Sequence, residues 1–194
     1  RHERSKKRML PLQIHLTLPP WIGDVADSNR RYQSDEERVG LAIELSRQNV
    51  ERGGGGPFGA AVFNSHSGRL VAVGVNRVLT QSCSVAHAEM LAIMIAQARL
   101  SRHRLNEDGG HYVLATSSQP CCQCYGASVW AGFDELLIGA RGEDVEELTD
   151  FDEGPLPADW IGELERRHIT VRRDILRDQA RSVLAVYGAS GPTY

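Results

Sequence analysis

The order of apolar segments predicts an α/β/α sandwich, in which helices cover both faces of a mixed, largely parallel β-sheet. After an initial hairpin, short strands alternate with helices along the chain. The strands are continuous apolar runs, which is typical of strands that are buried on both faces. With 194 residues, of which 41% are hydrophobic and 24% charged, the chain is long enough to bury a core in one domain.

The first part of the chain is expected to be an irregular arm. Residues 1–33 show no sustained hydrophobic period. Within them, the basic residues 1–8 are interpreted as a solvated tail, either a tag or a trimmed extension, and are set aside. We expect one folded domain over residues 34–194, because this part contains neither an internal repeat nor a linker.

The first helix is predicted to begin at Ser34, because Ser34 and Glu37 have the spacing of a capping box. An apolar stripe continues the helix until the glycines of 53–56 end it. A hairpin follows, with apolar strands over 58–63 and 70–75 and turn-forming residues between them.

The remaining elements alternate. Residues 86–100 are apolar on all sides, which predicts a helix buried on most of its surface. A second helix is predicted over 121–131, because a proline directly precedes it, close to the first-turn position that prolines favour. The other predicted elements are strands over 112–115, 135–138 and 169–171, and an amphipathic helix from Leu176 to Tyr187.

Composition excludes one class of protein, and charge argues against another. The longest apolar run, Met90 to Ala96, is too short to cross a bilayer, so a membrane protein is excluded. The 22 basic and 25 acidic residues give a net charge of −3, so the chain lacks a basic field for nucleic acid. The segment Gly142–Trp160 contains eight acidic residues and no basic one; we expect a solvated loop, which would repel RNA phosphates.

The cysteines indicate thiolate or metal chemistry. The chain has four cysteines, and three of them lie between Cys121 and Cys124. They are too few and too closely spaced for the disulfide framework of a secreted protein. A reducing compartment is therefore expected, and the cytoplasm is the predicted location.

Two short motifs predict a zinc site. Cys121 and Cys124 form a C-x-x-C pair at the start of a predicted helix, where free N–H groups favour thiolates. His87, at the start of another predicted helix, can supply a third, neutral ligand. Three protein ligands leave the fourth tetrahedral position for water, which is typical of catalytic zinc.

Glu89 is the candidate proton carrier beside this site. Residues two apart in a regular helix point in nearly opposite directions, so His87 and Glu89 can converge only in the first turn. A carboxylate there could take a proton from water and give it to a leaving group. The alternatives are a redox dithiol, half of a zinc ribbon, and a zinc-binding module without catalysis. The ribbon would need a second C-x-x-C pair, which the chain lacks.

Together the motifs match the H-x-E and P-C-x-x-C signature of zinc nucleobase deaminases. The chain resembles the cytidine deaminase-like superfamily and, within it, the bacterial guanine deaminases. The resemblance extends from about Pro19 to the C-terminus. The matching segments are Gly55–Gly59, Val75–Arg77, Ala86–Glu89, Pro120–Gly126, Trp130–Gly132 and Phe151–Pro155.

The resemblance implies a five-stranded sheet, a homodimer, one zinc ion per subunit, and hydrolysis of guanine to xanthine and ammonia. It implies that His87, Cys121 and Cys124 are the zinc ligands. It also implies roles for six other residues: Glu89 and Glu153 in catalysis, and Asn76, Phe58, Trp130 and Ala88 in contact with the base.

The alternative substrates are aminotriazines, cytosine and nucleosides, and a tRNA-editing deaminase shares the same zinc motifs. The Phe151–Gly154 segment favours the guanine branch, since a carboxylate at Glu153 could accept hydrogen bonds from the N–H groups of guanine. One departure from the family pattern concerns Cys122 and Gln123, which replace the commoner Pro-Met or Ala-Met-like pair. The ligands are intact, but contacts that line the neighbouring pocket are expected to differ.

Overall fold

The computed structural model describes residues 10–189, 191, 192 and 194. The basic segment 1–8 that was set aside above lies outside the described residues. No helix among the described residues is both long and apolar enough to span a bilayer.

A five-stranded mixed sheet forms the centre of the fold, as predicted. Its order is β2-β1-β3-β4-β5. The first hairpin is antiparallel, β1 is also antiparallel to β3, and β3, β4 and β5 run parallel to one another. The strands are β1 Gly59–Asn64, β2 Arg69–Val75, β3 Tyr112–Ser118, β4 Glu135–Ala140 and β5 Thr170–Arg172.

Helices surround this sheet. They are α1 Ile22–Val25, α2 Asp35–Glu51, α3 Val78–Gln81, α4 Ala88–Leu100, α5 Cys122–Ala131, α6 Gly142–Leu148, α7 Trp160–Glu165 and α8 Arg177–Gly188, with a 3-10 turn at Leu105–Asp108. The capping box expected at Ser34 is present, because the Glu37 N–H donates to the Ser34 hydroxyl at 3.1 Å and the Ser34 N–H donates to the Glu37 carboxylate at 3.2 Å.

The helices form two layers. One core packs α2 and α8 against the sheet around Leu45, Phe63 and Leu184. The other packs α4 and the strands around Ala92, Leu114 and Ile138, with α5 alongside. This arrangement confirms the three-layer sandwich.

Glycine in β2 brings α4 close to the sheet. A Cβ atom at Gly74 would collide with the backbone carbonyl of Ala88, the first residue of α4. The absence of a side chain there therefore lets the start of α4 lie directly on the strand. His87 and Glu89 are held at that helix start.

The acidic segment 142–160 differs from the expected loop, because residues 142–148 form α6. The Arg141 N–H donates to the Asp144 carboxylate at 2.8 Å, which caps the helix. The same buried carboxylate pairs with Arg177 and Arg181 from α8. These ion pairs join α6 to a distant part of the sequence.

Candidate metal centre and active site

The starts of α4 and α5 bring the three predicted ligands together. His87 is the N-cap of α4 and Cys121 is the N-cap of α5, and neither side chain makes a capping hydrogen bond to its helix. Cys124 is the third residue of α5, so the two thiols have the N-cap to N3 relation that a capping box uses. All three side chains therefore project beyond the helix ends toward a common point.

The distances fit a tetrahedral zinc ion. The Nδ1 atom of His87 lies 3.4 Å from the Cys121 sulfur and 3.6 Å from the Cys124 sulfur. Zinc–nitrogen and zinc–sulfur bonds of ordinary length at a tetrahedral angle would separate nitrogen and sulfur by about 3.6 Å. The three ligand atoms lie within 4.8 Å of one another. Among the described residues, this is the one cluster of at least three His, Cys, Asp or Glu ligand atoms at such distances.

The pKa values of the two cysteine thiols differ because the thiols hydrogen-bond to each other. A hydrogen bond from Cys124 holds the pKa of Cys121 at about 4, well below that of a free thiol. The same hydrogen bond, together with burial, raises the pKa of Cys124. Since metal ligation needs deprotonated thiols, a bound cation would favour loss of the Cys124 proton as well.

Glu89 lies buried beside the ligands. It is the second residue of α4 and is 7% exposed. Burial, and then the negative Cys121, raise the pKa of Glu89 to about 7. His87 precedes the helix while Glu89 is within its first turn, which is how the two side chains converge despite their spacing.

A cavity of about 320 Å³ opens onto these residues, a size within the range of small-molecule sites. Its wall includes residues from the ligand turns, from the end of β2, from the loop after α6, and from the C-terminus. The lining residues are Phe58, Asn76, Val78, Ser84, His87, Glu89, Gln119, Cys121, Cys122, Gln123, Phe151, Asp152, Glu153, Gly154 and Tyr194.

Glu153 lies in this wall as a second buried carboxyl group. It is 8% exposed, and its Oε2 atom has no hydrogen-bond partner among the described residues. Burial, and then the nearby charges of Cys121 and Glu89, raise the pKa of Glu153 to about 8. Gly154 follows with a φ of +69°, and a Cβ atom there would lie 2.6 Å from the Cys122 sulfur.

Asn76 and Phe58 also line the cavity. The Asn76 side-chain oxygen accepts hydrogen bonds from the N–H groups of Val78 at 3.2 Å and Gly56 at 3.4 Å. Asn76 therefore fastens the turn after β2, and its side chain also forms a hydrogen bond with Tyr194, which lines the same cavity. The Phe58 ring packs against Phe151 with centroids 5.4 Å apart.

Two expected contacts to the base are not in the cavity wall. Trp130 is 78% exposed on the outer surface of α5, beside Val129 and Arg167, and does not line the cavity of this chain. Ala88 is fully buried, and its side chain packs in the core between α4 and the sheet. As the first residue of α4, Ala88 is directed at β2 instead of the cavity.

Sequence reasoning missed other residues of the wall. Gln123 was noticed only as a departure from a family pattern, although it lies between two ligands. Phe151 and Tyr194 meet with ring centroids 4.9 Å apart, so the C-terminal residue contributes to this chain's own cavity. Nothing in a local pattern predicts that the chain end returns to the site.

The comparisons with known proteins agree with this geometry. The family model for the cytidine and deoxycytidylate deaminase zinc-binding region matches residues 32–140. A guanine deaminase from Bacillus subtilis is 36% identical over 55% of this chain, and the match spans 64% of that protein, slightly less than two thirds of its length.

Solved structures share the fold more completely. A guanine deaminase from Nitrosomonas europaea is 44% identical, with a TM-score of 0.86, over 94% of this chain and 100% of the other. A mutant of the protein NE0047 in complex with 8-azaguanine is 45% identical, also with a TM-score of 0.86, over 92% of this chain and 98% of the other. By its family match and by its fold, the chain belongs to the cytidine and deoxycytidylate deaminase zinc-binding family.

Proposed function

We propose that this protein hydrolyses guanine to xanthine and ammonia, with a zinc ion held by His87, Cys121 and Cys124. The observation that supports guanine most directly is Glu153, a buried carboxyl group with an unpartnered oxygen in the same cavity as Glu89. A carboxylate accepts hydrogen bonds, and guanine offers ring N–H groups as donors. The similarity to guanine deaminases supports the same substrate.

The reaction replaces the bond between C2 of guanine and its exocyclic nitrogen with a carbon–oxygen bond. Water adds its oxygen to this carbon, and the bond to the exocyclic nitrogen breaks, so that ammonia leaves. A zinc ion at the three ligands would activate the attacking water. Glu89 is placed to take a proton from that water and to return it to the departing nitrogen.

Other residues bind and shield the base. Phe58 and Phe151 supply an apolar surface against which a planar ring can pack. The Asn76 amide and the Glu153 carboxyl group supply polar contacts. These contacts hold the ring so that its reacting carbon faces the zinc site, which reduces the entropy lost in the transition state.

A screen for ammonia release tests this function. Zinc-loaded protein is incubated with guanine, cytosine, adenine, their nucleosides and an aminotriazine, and xanthine is measured by its absorbance. We expect guanine to give the highest kcat/KM, with xanthine and ammonia in equal amounts. A higher value for cytosine, a nucleoside or the aminotriazine would contradict the guanine assignment while leaving a zinc deaminase.

We also propose that the domain over residues 34–194 works as a homodimer in the cytoplasm. The helices α4 and α5 pack side by side, and each exposes a large apolar side chain, Met94 at 39% and Trp130 at 78%. A partner subunit would cover such side chains. Light scattering on the purified protein tests this, and a monomer at micromolar concentration would contradict it.

A further inference from the structure

The cavity contains a buried donor and a buried acceptor, neither of which has a partner in the part of the chain that the structure describes. Among the described residues, four buried side-chain polar atoms lack a hydrogen bond, and two of them belong to residues of this cavity, namely Nε2 of Gln123 and Oε2 of Glu153. The other two, in Asn49 and Arg77, belong to residues outside the cavity wall. A buried polar group without a hydrogen bond destabilises the protein. A ligand that pairs with both groups would remove this cost, which would strengthen its binding.

The two atoms have opposite chemistry. The amide nitrogen of Gln123 only donates, whereas the carboxyl group of Glu153 only accepts when it is ionised. Guanine has N–H donors and also has acceptors at N3, N7 and O6. A donor and an acceptor in one wall therefore match a ring that carries both kinds of group.

The fold holds this pair in place. Gln123 is the second residue of α5, between the ligands Cys121 and Cys124, so its backbone is fixed by the same turn that binds the metal. The N–H of Cys122 donates to the carbonyl oxygen of Glu153 at 2.9 Å. This bond ties the helix turn to the loop, so the residues that carry the donor and the acceptor cannot separate independently.

We propose that Gln123 is a specificity-determining residue that donates a hydrogen bond to a ring acceptor of the purine while Glu153 accepts from a ring N–H group. The inference rests on the proposed guanine deaminase function and deepens it. A purely structural role would require the amide to bond within the protein. The Nε2 atom of Gln123 has no such bond among the described residues.

The experiment combines side-chain variants with substrate analogues. Gln123→Met keeps a side chain of similar length but removes the donor, and Gln123→Glu replaces the donor with an acceptor. Gln179→Met on the exposed surface of α8 is the matched control. Each protein is assayed for kcat/KM with guanine, 3-deazaguanine, 7-deazaguanine and 2-aminopurine, which lack the acceptors at N3, N7 and O6 respectively. Zinc content and Tm are measured in parallel.

We expect Gln123→Met to lower kcat/KM for guanine about ten- to hundredfold, the loss typical of an unpaired buried acceptor. The kcat/KM of Gln123→Glu for guanine should fall further, and that of Gln179→Met should stay within threefold of wild type. On the one analogue that lacks the relevant acceptor, the loss caused by Gln123→Met should shrink to threefold or less. That analogue identifies the atom that Gln123 contacts.

Three results would overturn the inference. The first is that Gln123→Met retains guanine turnover within threefold of wild type. The second is that the loss of kcat/KM is equal on guanine and on all analogues. The third is that both Gln123 variants lose zinc, which would mean that Gln123 supports the metal-binding turn instead of the substrate. A wild-type protein that does not deaminate guanine would overturn the proposed function as well. The wild-type assay therefore separates the two failures.

Discussion

The backbone N–H of Cys122 donates to the carbonyl oxygen of Glu153 at 2.9 Å and so joins the metal-binding turn of α5 to the loop after α6. Cys122 follows the ligand Cys121 directly. This main-chain contact, together with the close approach of Gly154 to the Cys122 sulfur, holds the loop that carries Glu153 beside the metal-binding turn.

Gly154→Ala tests whether that packing positions Glu153. A Cβ atom at φ +69° would lie 2.6 Å from the Cys122 sulfur, and the left-handed backbone alone costs a non-glycine residue about 1 kcal/mol. We expect the loop to shift, with guanine kcat/KM falling at least tenfold while zinc content is retained. Gly126→Ala, where a Cβ atom meets nothing within 4 Å, is the control. Equal turnover by the two variants would contradict the positioning role.

Glu153→Gln tests how the base is recognised. The amide keeps the size of the side chain but replaces one acceptor with a donor that would face a ring N–H group. We expect kcat/KM for guanine to fall at least a hundredfold with zinc content unchanged, because the new donor would be buried without a partner. Steady-state kinetics on guanine measure the effect. Full guanine turnover by this variant would rule out Glu153 as the acceptor.

Cys121→Ala tests the ligand set. Removing one thiolate leaves two protein ligands, and metal affinity should fall steeply. We expect most zinc to be lost when the purified variant is measured by elemental analysis. Cys83→Ala removes a thiol that is not part of the cluster and should retain one zinc per chain. If Cys121→Ala keeps its zinc, another residue must bind the ion.

Asp144→Asn tests the electrostatic link between α6 and α8. The Asp144 side chain is 1% exposed and pairs with Arg177 at 2.7 Å and with Arg181. The hydrogen bond from Arg177 holds the pKa of Asp144 far below its usual value. Arg177 and Arg181 are about a third exposed, so water can solvate them when the carboxylate is removed. We therefore expect Asp144→Asn to lower the free energy of unfolding at pH 7 by an amount near the lower end of about 1–3 kcal/mol.

This contribution depends on pH in a defined direction. A carboxyl group whose pKa is lowered by folding stabilises the protein above its unfolded pKa of about 4, and the contribution is lost as the pH falls through the folded pKa. The difference in Tm between wild type and Asp144→Asn should therefore shrink below about pH 4. Glu165→Gln, on the exposed end of α7, is the control. A Tm difference that stays constant from pH 7 to pH 3 would contradict the assignment.

The local parts of the fold and of the metal centre were predictable from sequence. The Ser34–Glu37 capping box and the two ligand motifs at helix starts are patterns that span only three or four residues. Their geometry is set by the helix terminus itself, so a short sequence is enough to define it.

The parts that depend on distant residues were not predictable. Asp144 of α6 pairs with Arg177, 33 positions further along the chain, and this contact holds α6 against α8. The family resemblance implied that Trp130 contacts the base. Seven residues after Gln123, however, it lies about 10 Å further along the helix axis, away from the metal end. Gln123 lines the cavity instead, because it lies in the first turn of α5, next to the metal ligands.

The most direct test of the account is the paired measurement of zinc content and xanthine formation in wild type and Glu89→Gln. The variant keeps the shape of the buried side chain but cannot carry a proton. We predict one zinc per chain in both proteins and a fall in kcat for guanine of about a hundredfold to ten-thousandfold or more. Guanine turnover within tenfold of wild type, with zinc bound, would contradict the assignment of Glu89 as the proton carrier.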